Sequence, residues 1–251
     1  MSERRRLEKR IELDASPEEV WEAVSTTAGL SVWFVPHQAD ESGEVSADFG
    51  DGNTQAGKVL AWEEGRRVVY GGPDDESEQT AAVALEFLVE GRDRGGTVLR
   101  FVHSGFAGDE DWADEYGQHS RGWDLFFRNL VAYFEHFAGL PVTGAVATAF
   151  TELGGDEVSD RLHRALGVAT SAAPGERVRL SPAGPAPVDG VLDVREPGVL
   201  GVRSADGLYR FLGLGGGTHR MVNVTIYRYG ADVDGASLTG SWQTWLDGVM
   251  R

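Results

Sequence analysis

Cysteine is absent from the sequence. That removes disulfides, zinc–thiolate sites, iron–sulfur clusters and cysteine nucleophiles from consideration. No run of about 18 apolar residues is present, so no membrane-spanning helix is expected. Met1-Ser2-Glu3-Arg4-Arg5-Arg6 passes straight into an alternating pattern, without the apolar stretch of a secretory signal. The cytoplasm is therefore the expected compartment, and Asn223-Val224-Thr225 is expected to be strand rather than a glycosylation acceptor. Basic residues are scarce: 23 Lys and Arg against 40 Asp and Glu leave a net charge of −17. A surface of that sign does not neutralise phosphates, which argues against nucleic acid as a partner. The cluster Arg4, Arg5, Arg6, Lys9 and Arg10 runs the other way and is expected to be a solvated N-terminus.

Motifs of known chemistry are also missing. There is no nucleophile elbow, zinc-protease helix or calcium loop, and the six histidines lack ligand-like spacing. Neither a structural metal nor a cofactor is expected. Gly213-Leu214-Gly215-Gly216-Gly217 lies between two strand patterns and precedes no helix, so it fails the context of a dinucleotide loop and is expected to be a hairpin turn.

What is present is the composition of a folded protein: 251 residues, 41% hydrophobic and 25% charged. The charge is unevenly shared. Residues 1–140 hold 13 Lys and Arg against 28 Asp and Glu, while 141–251 hold 10 against 12. The asymmetry points to two domains, 1–140 and 141–251.

In the first of these, Leu7–Leu13 alternates as a strand. Ser16-Pro17-Glu18-Glu19 then supplies an N-cap, a proline at the first helical position and a glutamate closing a capping box. Thr26–Phe34 is expected to be a second short helical piece. From Glu44 to Ser104 the period drops to two, giving strands at Glu44–Phe49, Gln55–Glu63, Arg67–Tyr70, Thr80–Glu90 and Thr97–Ser104, with glycine-bearing turns between them. Connections this short join antiparallel neighbours, so the sheet is a meander. Val83, Leu85, Phe87 and Val89 share one face, as do Leu99, Phe101 and His103, and this apolar face needs a cover.

The cover is a helix from about Asp111 to Phe137. Trp123, Phe126, Phe127, Leu130, Phe134 and Phe137 fall on one stripe at period 3.6. Large rings against a curved sheet pack poorly, which favours an apolar cavity. A solid, sealed core is the competing reading, and periodicity does not separate the two.

The second half repeats the layout. Gly155–Leu162 echoes Pro17–Val24 at an offset of 138, strands follow at Arg177–Leu180, Val188–Arg195, Val199–Ser204, Leu208–Leu214 and Met221–Tyr229, and a helix carrying Leu238, Trp242, Trp245 and Val249 closes the chain. The second copy is shorter and reads as a degenerate duplicate.

Ile11–Val24 followed by Trp33 resembles the N-terminal signature of the START/polyketide-cyclase-like (SRPBCC) superfamily. Gly57-Lys58-Val59 through Arg67–Tyr70, then Thr97–Phe106 and Gly122-Trp123, resembles its branch homologous to the C-terminal domain of an activator of a heat-shock chaperone ATPase. The resemblance covers roughly residues 7–138. It implies an α+β helix-grip fold, a curved antiparallel sheet wrapped on a long C-terminal helix around an apolar cavity, present here as two tandem copies. It also implies one of three roles. The first is binding of a small hydrophobic or amphipathic ligand. The second is aromatase/cyclase chemistry on a pocket histidine, and the third is a co-chaperone-like interaction module.

The pocket wall expected from these patterns is Trp33, Phe49, Trp62, Tyr70, Leu85, Phe87, Phe101, His103, Trp123 and Phe127, with Trp112 beside them. His103 is the one candidate acid or base, and its competing role is a structural histidine at a strand end. Glu115 and His119 stand four residues apart and have the spacing to share a ligand. They sit among Asp109, Glu110, Asp111 and Asp114, so a solvated acidic helix start is the expected reading. The expected partner is a small apolar molecule, with a protein partner as the alternative and either a monomer or a homodimer as the assembly.

Overall fold

A computed structural model describes residues 6–39, 44–50, 52–72, 84–92, 96–104, 112–214, 220–230 and 232–251. The glycine run 215–217 and the acidic residues 109–111 lie outside them, as do the side chains of Trp112, Asp114 and Glu115. The chain divides into two compact units: Met1–Asp48 with Thr54–Ala138, and Phe49–Asn53 with Gly139–Arg251.

The first unit runs β1 (Arg6–Leu13), α1 (Pro17–Ser25), α2 (Thr27–Ser31), β2 (His37–Ala39), β3 (Glu44–Asp48), β4 (Thr54–Glu63), β5 (Arg67–Gly71), β6 (Ala84–Gly91), β7 (Thr97–Ser104) and α3 (Trp112–His136). Its antiparallel sheet has the order β1-β7-β6-β5-β4-β3-β2, so the first strand pairs with the last and the rest form the meander. The three-residue strand β2 carried no alternation long enough to be read from sequence.

Helix α1 starts where the sequence places it. The Ser16 side chain accepts from the Glu19 amide at 3.3 Å, and the Glu19 carboxylate accepts from the Ser16 amide at 2.8 Å. Glu19 is thereby held below the usual carboxylate range, the Ser16 hydrogen bonds outweighing what burial does in the other direction. Helix α3 spans 25 residues, about 37 Å, with Trp123, Phe127 and Leu130 buried along one stripe and Phe137 buried just past its end.

The second unit runs β8 (Val142–Thr151), α4 (Gly155–Leu166), β9 (Arg177–Leu180), β10 (Val188–Glu196), β11 (Val199–Ser204), β12 (Gly207–Leu214), β13 (Arg220–Tyr229) and α5 (Gly235–Met250). Its sheet order, β8-β13-β12-β11-β10-β9, is the first-with-last meander again, one strand shorter. Helix α5 has 16 residues against 25 in α3. Asn223 and Thr225 lie within β13, as the strand reading requires.

Val158, Leu162 and Leu166 of α4 join Phe211, Val222, Val224, Trp242, Trp245 and Leu246 in one core. Alanines 145, 147 and 149 give β8 a low profile on that face. Gln243 of α5 then reaches the free edge of β8, donating to the Thr148 carbonyl at 2.8 Å and accepting from its amide at 2.9 Å. An edge strand's exposed backbone groups are satisfied this way instead of being left to pair with another chain. On the other face of the sheet Arg210, 1% exposed, grips both carboxylate oxygens of Asp193 at 2.8 Å. Gly201 leaves the space for it: a Cβ there would lie 2.6 Å from Arg210 Nη1.

Candidate functional site

Two cross-strand rows define the inner face of the first sheet. In one, Lys9, Phe101, Phe87, Val68 and Trp62 stand opposite one another across β1, β7, β6, β5 and β4. In the other, the row is Leu7, His103, Leu85, Tyr70 and Val59. Helices α1, α2 and α3 lie on this face. The Tyr70 hydroxyl donates to the Val24 carbonyl of α1 at 3.0 Å, and Thr97 donates to the Ala15 carbonyl at 2.7 Å.

At the β7 end the rows are sealed by rings. Phe101 meets Trp123 at 4.2 Å and Phe127 at 5.2 Å between centroids, and Phe87 meets Phe101 at 5.1 Å. Trp33, just after α2, stacks on Phe127 at 5.6 Å and meets Phe87 edge-on at 6.1 Å. Hydrogen bonds fix its orientation: its indole N–H donates to the Ala23 carbonyl at 2.9 Å, and buried Asn129 donates to its backbone carbonyl at 3.2 Å. Offset and edge-on ring pairs of this kind hold their partners beyond simple area burial.

Toward β4 both rows open. Phe101 and Phe87 are buried, Leu85 and Tyr70 are half-buried, and Val59 and Trp62 are 38% and 49% exposed. The apolar inner face thus continues past its helical cover. Trp62 stands edge-on to Trp21 of α1 at 5.0 Å. Six of the ten expected wall residues, Trp33, Phe87, Phe101, His103, Trp123 and Phe127, converge at the sealed end, and Leu85, Tyr70 and Trp62 follow along the same face. Phe49 groups with the second unit.

His103 is 7% exposed, and its Nδ1 accepts from the Trp123 indole N–H at 3.1 Å. An indole N–H only donates, so the proton of the neutral ring sits on Nε2. Burial, and secondarily the nearby His119, push His103 down to about 4, which keeps it neutral at neutral pH. Burial likewise raises the Tyr70 phenol and lowers His37, the latter against the pull of the Val35 carbonyl. His119 lies 5.5 Å from the His103 ring. Among the described residues no group of three or more His, Asp or Glu is placed to hold a metal.

Three contributors were not anticipated. Phe34 touches Trp33, Trp123 and Phe126, the last at 4.5 Å, and Asn129 binds Trp33. Lys9 does not extend into solvent with its basic neighbours. It shares the inward phase of Leu7 and Ile11, so it points under α3, where its ammonium donates to Ser120 at 2.8 Å and to Asp124 at 2.6 Å. The alternation in β1 carried that signal, and the adjacent arginines masked it.

Residues 14–135, just under half of the chain, match the family model described as activator of Hsp90 ATPase homolog 1-like protein. No curated protein matches the sequence. Among solved structures, the Aha1 dimer from Colwellia psychrerythraea is similar over 52% of this chain and 96% of its own, at 22% identity and a TM-score of 0.44. DynU16, a protein in the dynemicin biosynthetic locus, is similar over 98% of this chain and 96% of its own, at 19% identity and a TM-score of 0.43. The di-domain ARO/CYC BexL from the BE-7585A biosynthetic pathway is similar over 97% and 94%, at 16% identity and a TM-score of 0.42. Among the described residues no helix is long and apolar enough to cross a membrane.

Proposed function

We propose that the first unit, an SRPBCC-type domain of the Aha1-like branch, binds a small hydrophobic or amphipathic molecule on the inner face of its sheet. The observation that carries this reading is the graded opening of one apolar face. It runs from buried Phe101 and Phe87 through half-buried Leu85 and Tyr70 to Val59 and Trp62 in solvent. A folded domain gains by covering such a surface, and a ligand that lies along it removes that apolar area from water. The polar groups on the same face, Tyr70 and His103, would fix its orientation.

Catalysis by His103 is the weaker alternative on the same geometry. A general base needs a free lone pair at the operating pH. The Nδ1 lone pair of His103 accepts from Trp123 instead, and Nε2 already carries the proton. The ring is therefore suited to hydrogen bonding, not to accepting a substrate proton.

Solvent extraction of the protein purified from its native host, followed by mass spectrometry, tests the binding reading. A small apolar molecule near one equivalent is expected, and Leu85→Arg, which puts a charge at the middle of the open face, should abolish its retention. An extract empty of any such molecule, or equal retention by Leu85→Arg, refutes it.

A further inference from the structure

The second unit contains a cleft of about 400 Å³ that the first-unit reading does not use. It lies between the first half of α5, the turn joining β11 to β12, and residues 185–189 at and just before the start of β10. Its volume falls in the range of small-molecule sites, roughly 300–1,000 Å³. One end is apolar, formed by Leu238 of α5 and Pro187 around the edge of Trp242, which is otherwise buried in the core at 2% exposure. The other end is polar and internally ordered. Arg228 donates to Asp206 at 2.6 Å, Asp206 accepts from Ser204 at 2.8 Å, and the Arg228 charge works against the burial that raises the Tyr209 phenol.

Gly207 makes this corner possible. A Cβ there would sit 3.2 Å from Arg228 Cδ and 3.4 Å from the Tyr209 ring, in addition to striking the Tyr227 carbonyl oxygen at 2.5 Å. The arginine keeps donors for a ligand: its side chain lines the cleft and is 23% exposed, and Nη2 is the nitrogen that bonds Asp206, while the buried Nε has no acceptor among the described residues. Asp206 balances the charge while leaving donor capacity, so the corner suits a hydrogen-bond acceptor more than a bare cation or a polyanion. We propose that this cleft is a second ligand site, taking a flat apolar molecule that bears a hydrogen-bond acceptor, with its ring beside Trp242 and its acceptor on Arg228.

The test uses the full chain with 15N-labelled tryptophan indoles and 2-naphthoate as the probe. The Trp242 signal is identified by its loss in Trp242→Phe. Saturable movement of the Trp242 indole is expected. Arg228→Gln should weaken the probe about tenfold or more, the scale of one hydrogen bond to a charged group. Ser241→Phe, which fills the cleft from α5, should remove binding while the Trp245 and Trp123 indoles keep their positions. Unsubstituted naphthalene should bind at least tenfold more weakly than 2-naphthoate. The proposal is overturned if the Trp242 indole does not move, if only first-unit indoles move, if Ser241→Phe titrates like the parent, or if naphthalene binds as tightly. Should Arg228→Gln lose the second unit's dispersed signals, Ser241→Phe and the naphthalene comparison still decide. Movement of Trp62 or Trp123 with the first-unit ligand bears only on the first site, so the two readings fail separately.

Discussion

Acid should weaken the first unit through one residue, and the loss can be isolated. His103 titrates at about 4 in the folded protein against 6.5 for an ordinary histidine. Its folded value is depressed, so its contribution is fully present above about 6.5 and is lost as the pH falls toward 4, because the unfolded chain takes up the proton first. Linkage with those two values gives a loss of about 2 kcal/mol between pH 7 and pH 5, and about 3 kcal/mol by pH 4. The comparison variant is His103→Asn, whose side-chain oxygen can replace Nδ1 as acceptor for the Trp123 indole. It should be the less stable protein at pH 7, because the ring leaves a void. It should also lack the acid-linked loss, so the gap between the two proteins closes by about 2 kcal/mol at pH 5. All other titrating groups are common to both and cancel. Urea unfolding followed at the Trp123 indole resonance reads the first unit alone, and with a slope of about 2 kcal/mol per molar the closing amounts to about 1 M in midpoint. A gap that stays constant between pH 7 and pH 5 refutes the argument and with it the neutral, indole-bonded His103.

Gly201→Ala should destabilise the second unit by about 1–3 kcal/mol, since its Cβ would press on Arg210, Val194 and Asp193 at 2.6–3.0 Å. Thermal unfolding checks it, and a cost within 0.5 kcal/mol of zero would mean that the Arg210–Asp193 pair yields freely. Ser16→Ala removes the acceptor for the Glu19 amide and should cost about 1 kcal/mol. Chemical denaturation at pH 7 and at pH 3 should show that cost shrinking in acid, because the variant also loses the Ser16 hydroxyl that donates to ionised Glu19 at 2.8 Å and helps hold its carboxyl below the ordinary value; an unchanged cost counts against the box.

Elements with long, regular patterns were legible in the sequence. The aromatic stripe of α3 and the alternation of β7 placed Trp123, Phe127, Phe101 and His103 on facing surfaces before any coordinates were needed. Capping chemistry fixed the start of α1 through a local signal of four residues. The short β2 and the stretch after α2, where Phe34 sits, carry too few residues for a period to emerge. Lys9 shows a different limit. Its period was correct, but composition argued for solvent, and only the facing Ser120 and Asp124 of α3, more than a hundred residues away in sequence, decide that a lysine can turn inward.

The two copies also show why layout is easier to read than purpose. Both sheets obey the same first-with-last pairing, because that order follows from short turns and a returning closing strand. Their inner faces have diverged in chemistry. In the first unit His103, bonded to Trp123, and Tyr70, bonded to Val24, are single groups within an aromatic wall, and the Lys9–Ser120–Asp124 group stands at its β1 edge. In the second, Arg228, Asp206 and Tyr209 cluster at the cleft beside the first half of α5. No spacing rule connects those three, since Arg228 reaches Asp206 across a β-hairpin and Tyr209 only through the sheet register.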